Sequence, residues 1–342
     1  MCVCLKKCTI ELRTVNNTAI EMQLEGWTAT ITEDMLAGAI WCPDSRQIVT
    51  FTDLQLRASV WSLCEQTAVA FIKAPKLLPP KGVDFSSNGK FMCLAERKER
   101  ECKDQISIYY AGGDFKLTNS FEVTGDIFDM VDCKWVLKNT AILVQDSSLE
   151  SKFVVYSATS GRALAVHEPG SSFGLGIRQI KQSPNEKMLV CGMYSNSLSL
   201  YNNINQRLIC DLEHIDKLSV DPARKGPIIF EEKLSKEQSQ MPGVLNYRYD
   251  NLSAQQTVRI PKLPQKDMQS MQAAAFDKLG SSGGPQSGIQ LMEWSFDSVF
   301  LATKCESMPQ VVWVWETSTL ELHTVLIHMN QVKSIKFAPH SH

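Results

Sequence analysis

The sequence predicts an all-β fold built from repeated four-stranded units, a β-propeller of about six blades. The first observation is the stretch Trp294–Glu316, where an aromatic residue and a Ser-x-Asp turn precede two alternating strands that end in Trp315-Glu316. The second is that this aromatic anchor recurs along the chain. The third is that an aromatic residue closes an alternating strand about twenty residues after each internal anchor. One such unit cannot bury both of its faces alone, so the repeats are expected to pack against one another.

The spacing of the anchors matches the period of propeller blades. Successive anchors lie 44, 50, 47, 112 and 43 residues apart, and four of these intervals fall near the blade period of about 40–50 residues. The closing aromatics follow the five internal anchors at offsets of 20, 24, 21, 19 and 21 residues. Because the anchors and the closing aromatics recur at a nearly constant distance from each other, we interpret the repeats as WD-repeat blades. The anchors are Trp41, Phe85, Trp135, Gln182 (where Gln replaces the aromatic), Trp294 and Phe337, and the closing aromatics are Trp61, Tyr109, Tyr156, Tyr201 and Trp315.

The two ends of the chain predict a sixth blade. Near the N-terminus, Cys2–Leu5, Thr9–Val15 and Ala19–Leu24 have the pattern of the last three strands of a blade. Near the C-terminus, Val332–Phe337 has the pattern of a first strand. One strand from one end and three from the other would form a composite blade. The prediction is therefore five internal blades plus one composite or incomplete blade.

Turn-forming residues follow the anchors and justify the strand boundaries inside the repeats. Examples are Pro43-Asp44-Ser45, Ser87-Asn88-Gly89 and Pro184-Asn185. Proline fixes φ near −65°, Asp and Asn accept backbone hydrogen bonds, and Gly tolerates positive φ, so each segment favours a tight turn between two strands. The aromatic anchors themselves are expected to pack in the core rather than to bind a ligand.

An insertion interrupts the repeats in the later part of the chain. Residues 216–288 are rich in Lys, Gln, Ser, Pro and Met and end in a Gly/Ser-rich loop. They form either a hairpin extension or a blade without an anchor, and the extension is favoured because no turn-flanked aromatic lies at the expected position. Candidate strands are Pro227–Glu232, Val244–Tyr249 and Gln256–Ile260. The predicted organisation is blades in 1–215, an insertion or loop-rich extension in 216–288, and a remaining blade with a partial terminal blade in 289–342.

Composition argues against several classes of partner. The chain has 35 basic and 37 acidic residues and a net charge of −2, which gives no support to nucleic-acid binding. Its apolar runs are too short for a membrane span, and the N-terminal run is too short for a secretory leader. The eleven cysteines are therefore expected to be reduced thiols in the cytosol or nucleus.

Motifs for catalysis, metals and cofactors are missing from the sequence. Cys2, Cys4 and Cys8 form only a weak metal-binding pattern, because no second cysteine pair or histidine accompanies them. No phosphate-binding glycine loop and no Gly-x-Ser-x-Gly segment occurs. The six histidines lack ligand spacing, and His328 is expected to form structural hydrogen bonds. The sequence therefore predicts a protein that is not an enzyme and needs no metal or cofactor.

One run of charged residues is the candidate interaction site. It lies between the second and third predicted strands of the Phe85 repeat, where a loop is expected. Such a loop is either a solvated connection or a protein-binding patch, since the loops of a rigid propeller commonly carry its binding function. The candidate protein-binding residues are Glu96, Arg97, Lys98, Arg100, Lys103 and Asp104.

Several segments make the repeats more specific. They are Trp61-Ser62-Leu63-Cys64, Leu94-Ala95-Glu96-Arg97, Cys102-Lys103-Asp104 and Val312-Trp313-Val314-Trp315. Together they resemble the centrosomal and spindle-pole WD-repeat family of the WRAP type, which includes centriolar-satellite proteins. The resemblance spans roughly residues 20–340, and the family pattern extends beyond both ends of this chain.

This resemblance implies a non-enzymatic scaffold in the cytoplasm and cytoskeleton, at the centrosome, centriolar satellites or spindle pole. The implied partner is a coiled-coil microtubule-anchoring protein, with which the scaffold would anchor microtubule minus ends and support spindle and cilium assembly. A minus-end-directed kinesin or other centrosomal proteins are further implied partners. The alternative hypothesis is an RNA- or ribosome-associated propeller that acts as a binding module.

Overall fold

In a computed structural model, the regular secondary structure of the described residues is almost entirely β-strand, with one short 3₁₀ turn. By contacts between residues the chain forms two units, each described separately below. Unit 1 contains Met1–Ser147 and Lys152–Glu168, and unit 2 contains Ser148–Ser151 and Pro169–His342. The structure describes residues 2–6, 9–16, 23–33, 35–65, 67–98, 103–123, 127–169, 176–219, 226–235, 247–253, 257–263 and 288–339.

Unit 1 begins with a three-stranded antiparallel sheet. Its strands are β1 (Cys2–Lys6), β2 (Thr9–Asn16) and β3 (Gln23–Thr32), and they pair in the order β1-β2-β3. This sheet corresponds to the incomplete blade that the N-terminal sequence predicts. The predicted third strand began at Ala19, and residues 19–22 lie outside the described part of the chain.

Three four-stranded antiparallel sheets complete unit 1, each with strands paired in chain order. A short 3₁₀ turn, Asp53–Gln55, joins the second and third strands of the first of them. The strands of the three sheets are β4 (Leu36–Trp41), β5 (Gln47–Thr52), β6 (Arg57–Ser62) and β7 (Thr67–Lys73); β8 (Val83–Phe85), β9 (Phe91–Lys98), β10 (Lys103–Tyr110) and β11 (Lys116–Glu122); and β12 (Asp132–Val136), β13 (Ala141–Gln145), β14 (Phe153–Ser157) and β15 (Ala163–His167).

Unit 2 contains one further four-stranded sheet and one six-stranded sheet, with a two-stranded ladder between them in sequence. The four-stranded sheet comprises β16 (Ile177–Gln182), β17 (Met188–Met193), β18 (Ser197–Asn202) and β19 (Arg207–Glu213). The remaining strands are β20 (Lys217–Ser219), β21 (Ile228–Leu234), β22 (Tyr247–Asn251), β23 (Thr257–Arg259), β24 (Ile289–Trp294), β25 (Phe300–Cys305), β26 (Val311–Glu316) and β27 (Glu321–Ile327).

The repeat pattern is confirmed by this architecture. Five repeats form antiparallel four-stranded meanders, and the three-stranded N-terminal sheet is the incomplete sixth blade. Within each blade the second and third strands are buried almost throughout, whereas the fourth strand alternates between exposed and half-buried residues. The burial of the middle strands agrees with their near-continuous apolar sequences, since a strand buried on both faces has no solvent-facing side.

Two described strands of the insertion, β21 and β22, extend the last blade. β21 pairs in parallel with β27, and β22 pairs with β21, so the sheet order is β22-β21-β27-β26-β25-β24. Among the described strands, β20 and β23 pair with each other as a separate ladder. Ile229 of β21 is fully buried in the core of this unit, which fixes the extension against the blade. β21 and β22 thus form a hairpin that is added to the sheet of this blade.

The predicted terminal strand Val332–Phe337 is wrong. No residue from 328 to 339 lies in a strand. The backbone N–H of Val332 donates to the carbonyl of Pro309 at 2.9 Å, and its carbonyl accepts from Nζ of Lys304 at 2.8 Å. The backbone groups of this residue are therefore satisfied by a loop and a side chain, which replaces the expected strand ladder.

The anchors Trp135 and Trp294 and the closing aromatic Trp315 lie in the core as predicted, whereas Phe85 and Phe337 are half-buried. Trp294 and Trp135 are each 7% exposed, and Trp315 is 6% exposed. The core prediction is wrong for Trp41, which is 38% exposed. It ends β4 beside the exposed turn at residues 43–46, so solvent reaches the indole from the turn side.

Candidate protein-interaction surface

The charged run belongs to two paired strands rather than to a loop. Glu96, Arg97 and Lys98 end β9, and Lys103 and Asp104 begin β10. In the ladder, Lys98 lies opposite Lys103 and Arg97 opposite Asp104. The loop expectation is therefore wrong for these five candidates, because strand pairing continues through the charged residues. Arg100 lies outside the described residues.

Glu96 is an internal hydrogen-bond acceptor. It is 8% exposed, so its carboxylate has little access to a partner. Burial, followed by the hydrogen bond to Glu96, raises the pKa of Tyr109 far above its usual range. Such a satisfied buried carboxylate orders the blade and is unsuited to partner binding. The donors to Glu96 are Gln105 Nε2 at 2.8 Å, Ser107 Oγ at 2.7 Å and Tyr109 Oη at 2.6 Å.

Asp104 lies at the centre of a buried ion network. Its carboxylate accepts from Nζ of Lys76 at 2.5 Å, Nε of Arg97 at 3.0 Å and the backbone N–H of Met130 at 3.0 Å. Burial would raise the pKa of Asp104, but these hydrogen bonds outweigh it and hold the pKa below its usual value. Lys76 and Arg97 also reach Asp129, at 2.6 and 2.9 Å. The network ties β9 and β10 to the segments that connect neighbouring blades.

Lys98 and Lys103 are the exposed candidates outside this ion network, whereas Arg97 is equally exposed but held within it. Their side chains are 41% and 46% exposed, and both contact Glu122 of the edge strand β11, at 2.5 and 3.5 Å. The hydrogen bond from Lys98 lowers the pKa of Glu122. Among the described residues, these two cations thus share the carboxylate of Glu122.

An exposed apolar group in the neighbouring blade was missed by the sequence analysis. Leu54 is 71% exposed and Leu56 is 61% exposed, in the turn between β5 and β6. Phe71 of β7 is 62% exposed, and the guanidinium of Arg57 lies 5.4 Å from its ring centroid. The available signal was Leu-Gln-Leu at a position where turns usually carry Gly, Asn, Asp or Ser.

A buried histidine connects two blades in unit 2. Nδ1 of His214 lies 2.9 Å from the carbonyl of Asn196, and Nε2 lies 2.8 Å from Oγ1 of Thr303. Nε1 of Trp315 donates to the same hydroxyl at 3.0 Å. A carbonyl only accepts, so Nδ1 carries the proton and Nε2 accepts from Thr303. Burial lowers the pKa of His214 to about 4, which keeps the ring neutral.

In unit 1, Glu33 occupies a comparable position. Its carboxylate accepts from the hydroxyl of Thr50, from Oγ of Ser59 at 2.5 Å and from Nε of Arg57 at 3.1 Å. Nε1 of Trp61 donates to Thr50 at 3.0 Å. These polar groups are engaged within the blades, so they stabilise the scaffold.

The described residues contain no group of three or more His, Cys, Asp or Glu side chains arranged to hold a metal ion. Within the part of the chain that the structure describes, no helix has the length and hydropathy of a membrane span. What the described surface does offer is exposed apolar and cationic side chains on a rigid sheet framework. This chemistry suits contact with another macromolecule.

The blades and their repeat sequences define a WD-repeat β-propeller protein. No family model matches the sequence. The chain is 29% identical over 311 residues to WD repeat-containing protein WRAP73 of Mus musculus, a similarity that covers 89% of this chain and 63% of that protein. This similarity supports a WD-repeat protein of the WRAP type, as the sequence motifs indicated. The chain spans about 63% of the length of this curated relative.

Among solved structures, the chain matches the crystal structure of Kluyvelomyces marxianus Hsv2. The two share 10% sequence identity with a TM-score of 0.48, and the match covers 97% of this chain and 70% of the other.

Proposed function

We propose that this protein is a non-enzymatic protein-interaction scaffold of the centrosome or spindle pole. It binds a coiled-coil microtubule-anchoring protein and so helps to anchor microtubule minus ends during spindle and cilium assembly. The observation that carries the proposal is the similarity to a WRAP-type WD-repeat protein over 89% of the chain. The further partners are a minus-end-directed kinesin or other centrosomal proteins.

The physical character of the blades supports a scaffold role. The buried carboxylates of Asp104 and Glu33 accept hydrogen bonds from side chains of their own and neighbouring blades. Catalytic groups, by contrast, converge on a site with room for a substrate. A framework whose polar groups are satisfied internally presents a rigid surface, and rigid surfaces lose little entropy when they bind a partner.

The alternative of an RNA-associated propeller has less support. RNA binding relies on cations that are free to contact phosphates. Arg97 is paired with Asp104 and Asp129, and Lys98 is paired with Glu122. The overall charge of −2 also disfavours a polyanion.

Proximity labelling with the full chain in dividing cells tests the proposed function. A labelling enzyme fused to the chain should tag coiled-coil and centrosomal proteins above the level given by the enzyme alone. The tagged chain should also concentrate at spindle poles in mitosis. Diffuse localisation with no enrichment of centrosomal proteins would refute the proposal, and salt-sensitive crosslinking to RNA would favour the alternative.

A further inference from the structure

We propose that the outer edge of β22 pairs with the same strand of a second copy of this chain. Two six-stranded sheets then join across a two-fold axis into one continuous sheet. β22 is the last strand of its sheet, next to β21, in unit 2. The occupant is a second copy because, in antiparallel orientation, β22 is complementary to itself in both hydrogen bonding and charge. This self-pairing is independent of the proposed centrosomal role.

The outer side of β22 carries backbone groups that can pair with another strand. The N–H of Leu252 donates to the carbonyl of Ile229 at 2.8 Å and continues the ladder between β21 and β22. Hydrogen-bonded and non-hydrogen-bonded pairs alternate along an antiparallel ladder. Tyr247, Tyr249 and Asn251 therefore direct their N–H and C=O groups away from β21. Among the described strands only β21 pairs with β22, so this outward row is a template for a further strand.

β22 also differs from the outer strands of the four-stranded blades in its regularity. β7, β11, β15 and β19 each have a register irregularity where they pair with the third strand of the blade. Such irregularities increase the local twist and make a strand edge less suited to accepting another strand. β22, by contrast, keeps five consecutive pairs with β21 and no register shift. It is therefore a regular edge of the kind that strand addition uses.

One register of the self-paired strand uses all of the outward-facing residues. In it, Tyr249 lies on the two-fold axis and faces Tyr249 of the second copy, and Tyr247 faces Asn251 of the second copy. Because these residues direct their backbone groups outward, they form hydrogen-bonded pairs with about six backbone hydrogen bonds in total. In the pairs between them, Arg248 faces Asp250 of the second copy. Side chains approach most closely in such non-hydrogen-bonded pairs, where opposite charges stabilise the ladder.

The ion pairs already present at this edge leave it electrically balanced. Lys233 contacts Glu231 at 2.9 Å and Asp250 at 3.2 Å, and Arg248 contacts Asp250 at 3.3 Å. These cations and carboxylates lie on one face of the hairpin and their charges cancel, so two copies do not repel each other there. The side chain of Arg248 is 57% exposed, so it can also contact the carboxylate of a second copy. In the self-paired sheet, positive and negative side chains then alternate across the axis.

The opposite face of β22 brings two tyrosines together at the axis. Tyr249 is 50% exposed, and its hydroxyl donates to Oε1 of Glu232 at 3.4 Å. Its ring lies edge-on to His328, with ring centroids 6.1 Å apart and an interplanar angle of 90°. These contacts hold the ring in place before a second copy binds. Tyrosine is enriched at interface centres and aromatic cross-strand pairs stabilise sheets, so the two rings add to the backbone hydrogen bonds.

A second copy suits this edge better than a helix or an unrelated strand. A helix bonds its own backbone groups internally and cannot pair with a strand edge. An unrelated strand can pair with it, but matching Arg248 and Asp250 together requires a basic and an acidic residue two positions apart, as β22 itself supplies. Because the strand is short, the interface falls at the small end of the size range, and association is expected to depend on protein concentration.

Sedimentation velocity of the purified full chain measures this association. Between about 1 and 200 µM, the weight-average sedimentation coefficient of the wild type should rise toward that of a dimer. Arg248→Asp places two carboxylates opposite each other on each side of the axis, and Asp250→Arg places two guanidinium groups there. Each variant alone should associate at least about tenfold more weakly. The control Lys262→Asp breaks an exposed ion pair with Asp216, at 3.7 Å in the same unit, and should associate as the wild type does.

An equimolar mixture of the two variants separates charge complementarity from folding. In the mixed dimer, the carboxylates of Arg248→Asp face the guanidinium groups of Asp250→Arg on both sides of the axis. This dimer should therefore form with an affinity within about threefold of the wild type. Because neither variant regains its internal ion pair on mixing, such recovery can come only from pairing between copies. The proposal is overturned if the wild type stays monomeric, if either variant alone associates as the wild type does, or if the mixture does not associate.

Photocrosslinking in cells tests the occupant without changing the charges. The full chain carries p-benzoylphenylalanine at position 249, and the crosslinked peptides are sequenced. Crosslinks should join position 249 to residues 247–251 of a second copy, in an adduct of twice the chain mass. A control chain carries the crosslinker at position 164 and should give no self-adduct, because Leu164 is similarly exposed at 56% but lies on the irregular outer strand β15. Crosslinks from position 249 to another protein alone, or none at all, overturn the proposal.

Discussion

At the scale of single residues, the charged run shows what can be predicted from sequence and what requires the structure. The composition of Glu96–Asp104 suggests a solvated loop, yet Glu96 and Asp104 are buried and Arg97 bridges two carboxylates. The burial of these side chains depends on how far β9 and β10 extend. It also depends on Lys76, which lies more than twenty positions before Asp104 in the sequence. A local pattern contains neither fact, so the sequence could locate the charged run but could not predict which of its side chains are buried.

The first prediction concerns Lys76, whose side chain is 7% exposed between Asp104 and Asp129. Lys76→Met should lower the free energy of unfolding by about 3 kcal/mol, because it leaves a buried carboxylate with one fewer cation. Urea denaturation measures this. The matched control is Lys98→Met, which breaks an exposed pair and should cost less than about 1 kcal/mol. Equal costs for the two variants would contradict the buried network.

The second prediction concerns pH and His214. Its folded pKa, about 4, lies below the ordinary value of 6.5, so the unfolded chain takes up the proton first as pH falls. Stability from the neutral ring is therefore fully present above about pH 6.5 and is lost progressively toward pH 4, by roughly 3 kcal/mol in all. Urea denaturation between pH 7 and pH 4 should show this loss. His214→Gln should show a smaller loss, and equal losses would argue against a buried neutral imidazole.

At the scale of elements, the repeats were predictable because they rest on local patterns. Turn residues and alternating strands recur at a fixed period, and the same period places the aromatic anchors. The attachment of β21 to β27 was not predictable, because this parallel pairing joins Ile229 to Val325 across almost one hundred residues without a local signal. The prediction of a strand at Val332–Phe337 was wrong for a related reason. An alternating sequence pattern does not show whether a partner strand is present.

The third prediction compares two anchors at equivalent positions of two blades. Trp294→Ala should cost about 3–5 kcal/mol, since the indole is 7% exposed and its removal leaves a cavity in the core. Trp41→Ala should cost clearly less, because this indole is 38% exposed. Both costs are measured by urea denaturation. Equal losses of stability in the two variants would contradict the expectation that Trp41, being more exposed, contributes less to the core than Trp294.

At the scale of the whole molecule, the sequence predicts the repeated fold, and the described surface decides which contacts the proposed scaffold can make. Buried polar groups hold neighbouring blades together, as with Asp104 in unit 1 and His214 in unit 2. Binding must therefore use side chains that these networks leave at the surface. Of the five described candidates from the charged run, Lys98 and Lys103 meet this condition.

The fourth prediction concerns a variant in which the charges of Lys98, Lys103 and Glu122 are all reversed, so that their ion pairs can still form. In the triple variant Lys98→Glu, Lys103→Glu and Glu122→Lys, two carboxylates share one cation in place of two cations sharing one carboxylate. These side chains are exposed, so the change in stability should stay within about 0.5 kcal/mol per site. Capture of the coiled-coil partner by the full chain should fall by about tenfold or more, because a partner that contacts Lys98 and Lys103 would now meet charge of the opposite sign.

The control for this variant is Glu122→Lys alone, which adds a third cation to the same cluster. It should leave the coiled-coil partner bound at least as tightly as the wild type, whereas the triple variant loses it. If the triple variant captures the partner normally and melts at the wild-type temperature, Lys98 and Lys103 do not contact the partner. The binding surface would then have to lie away from the end of β9, since the other described candidates in the run are held in the ion network or the buried carboxylate site.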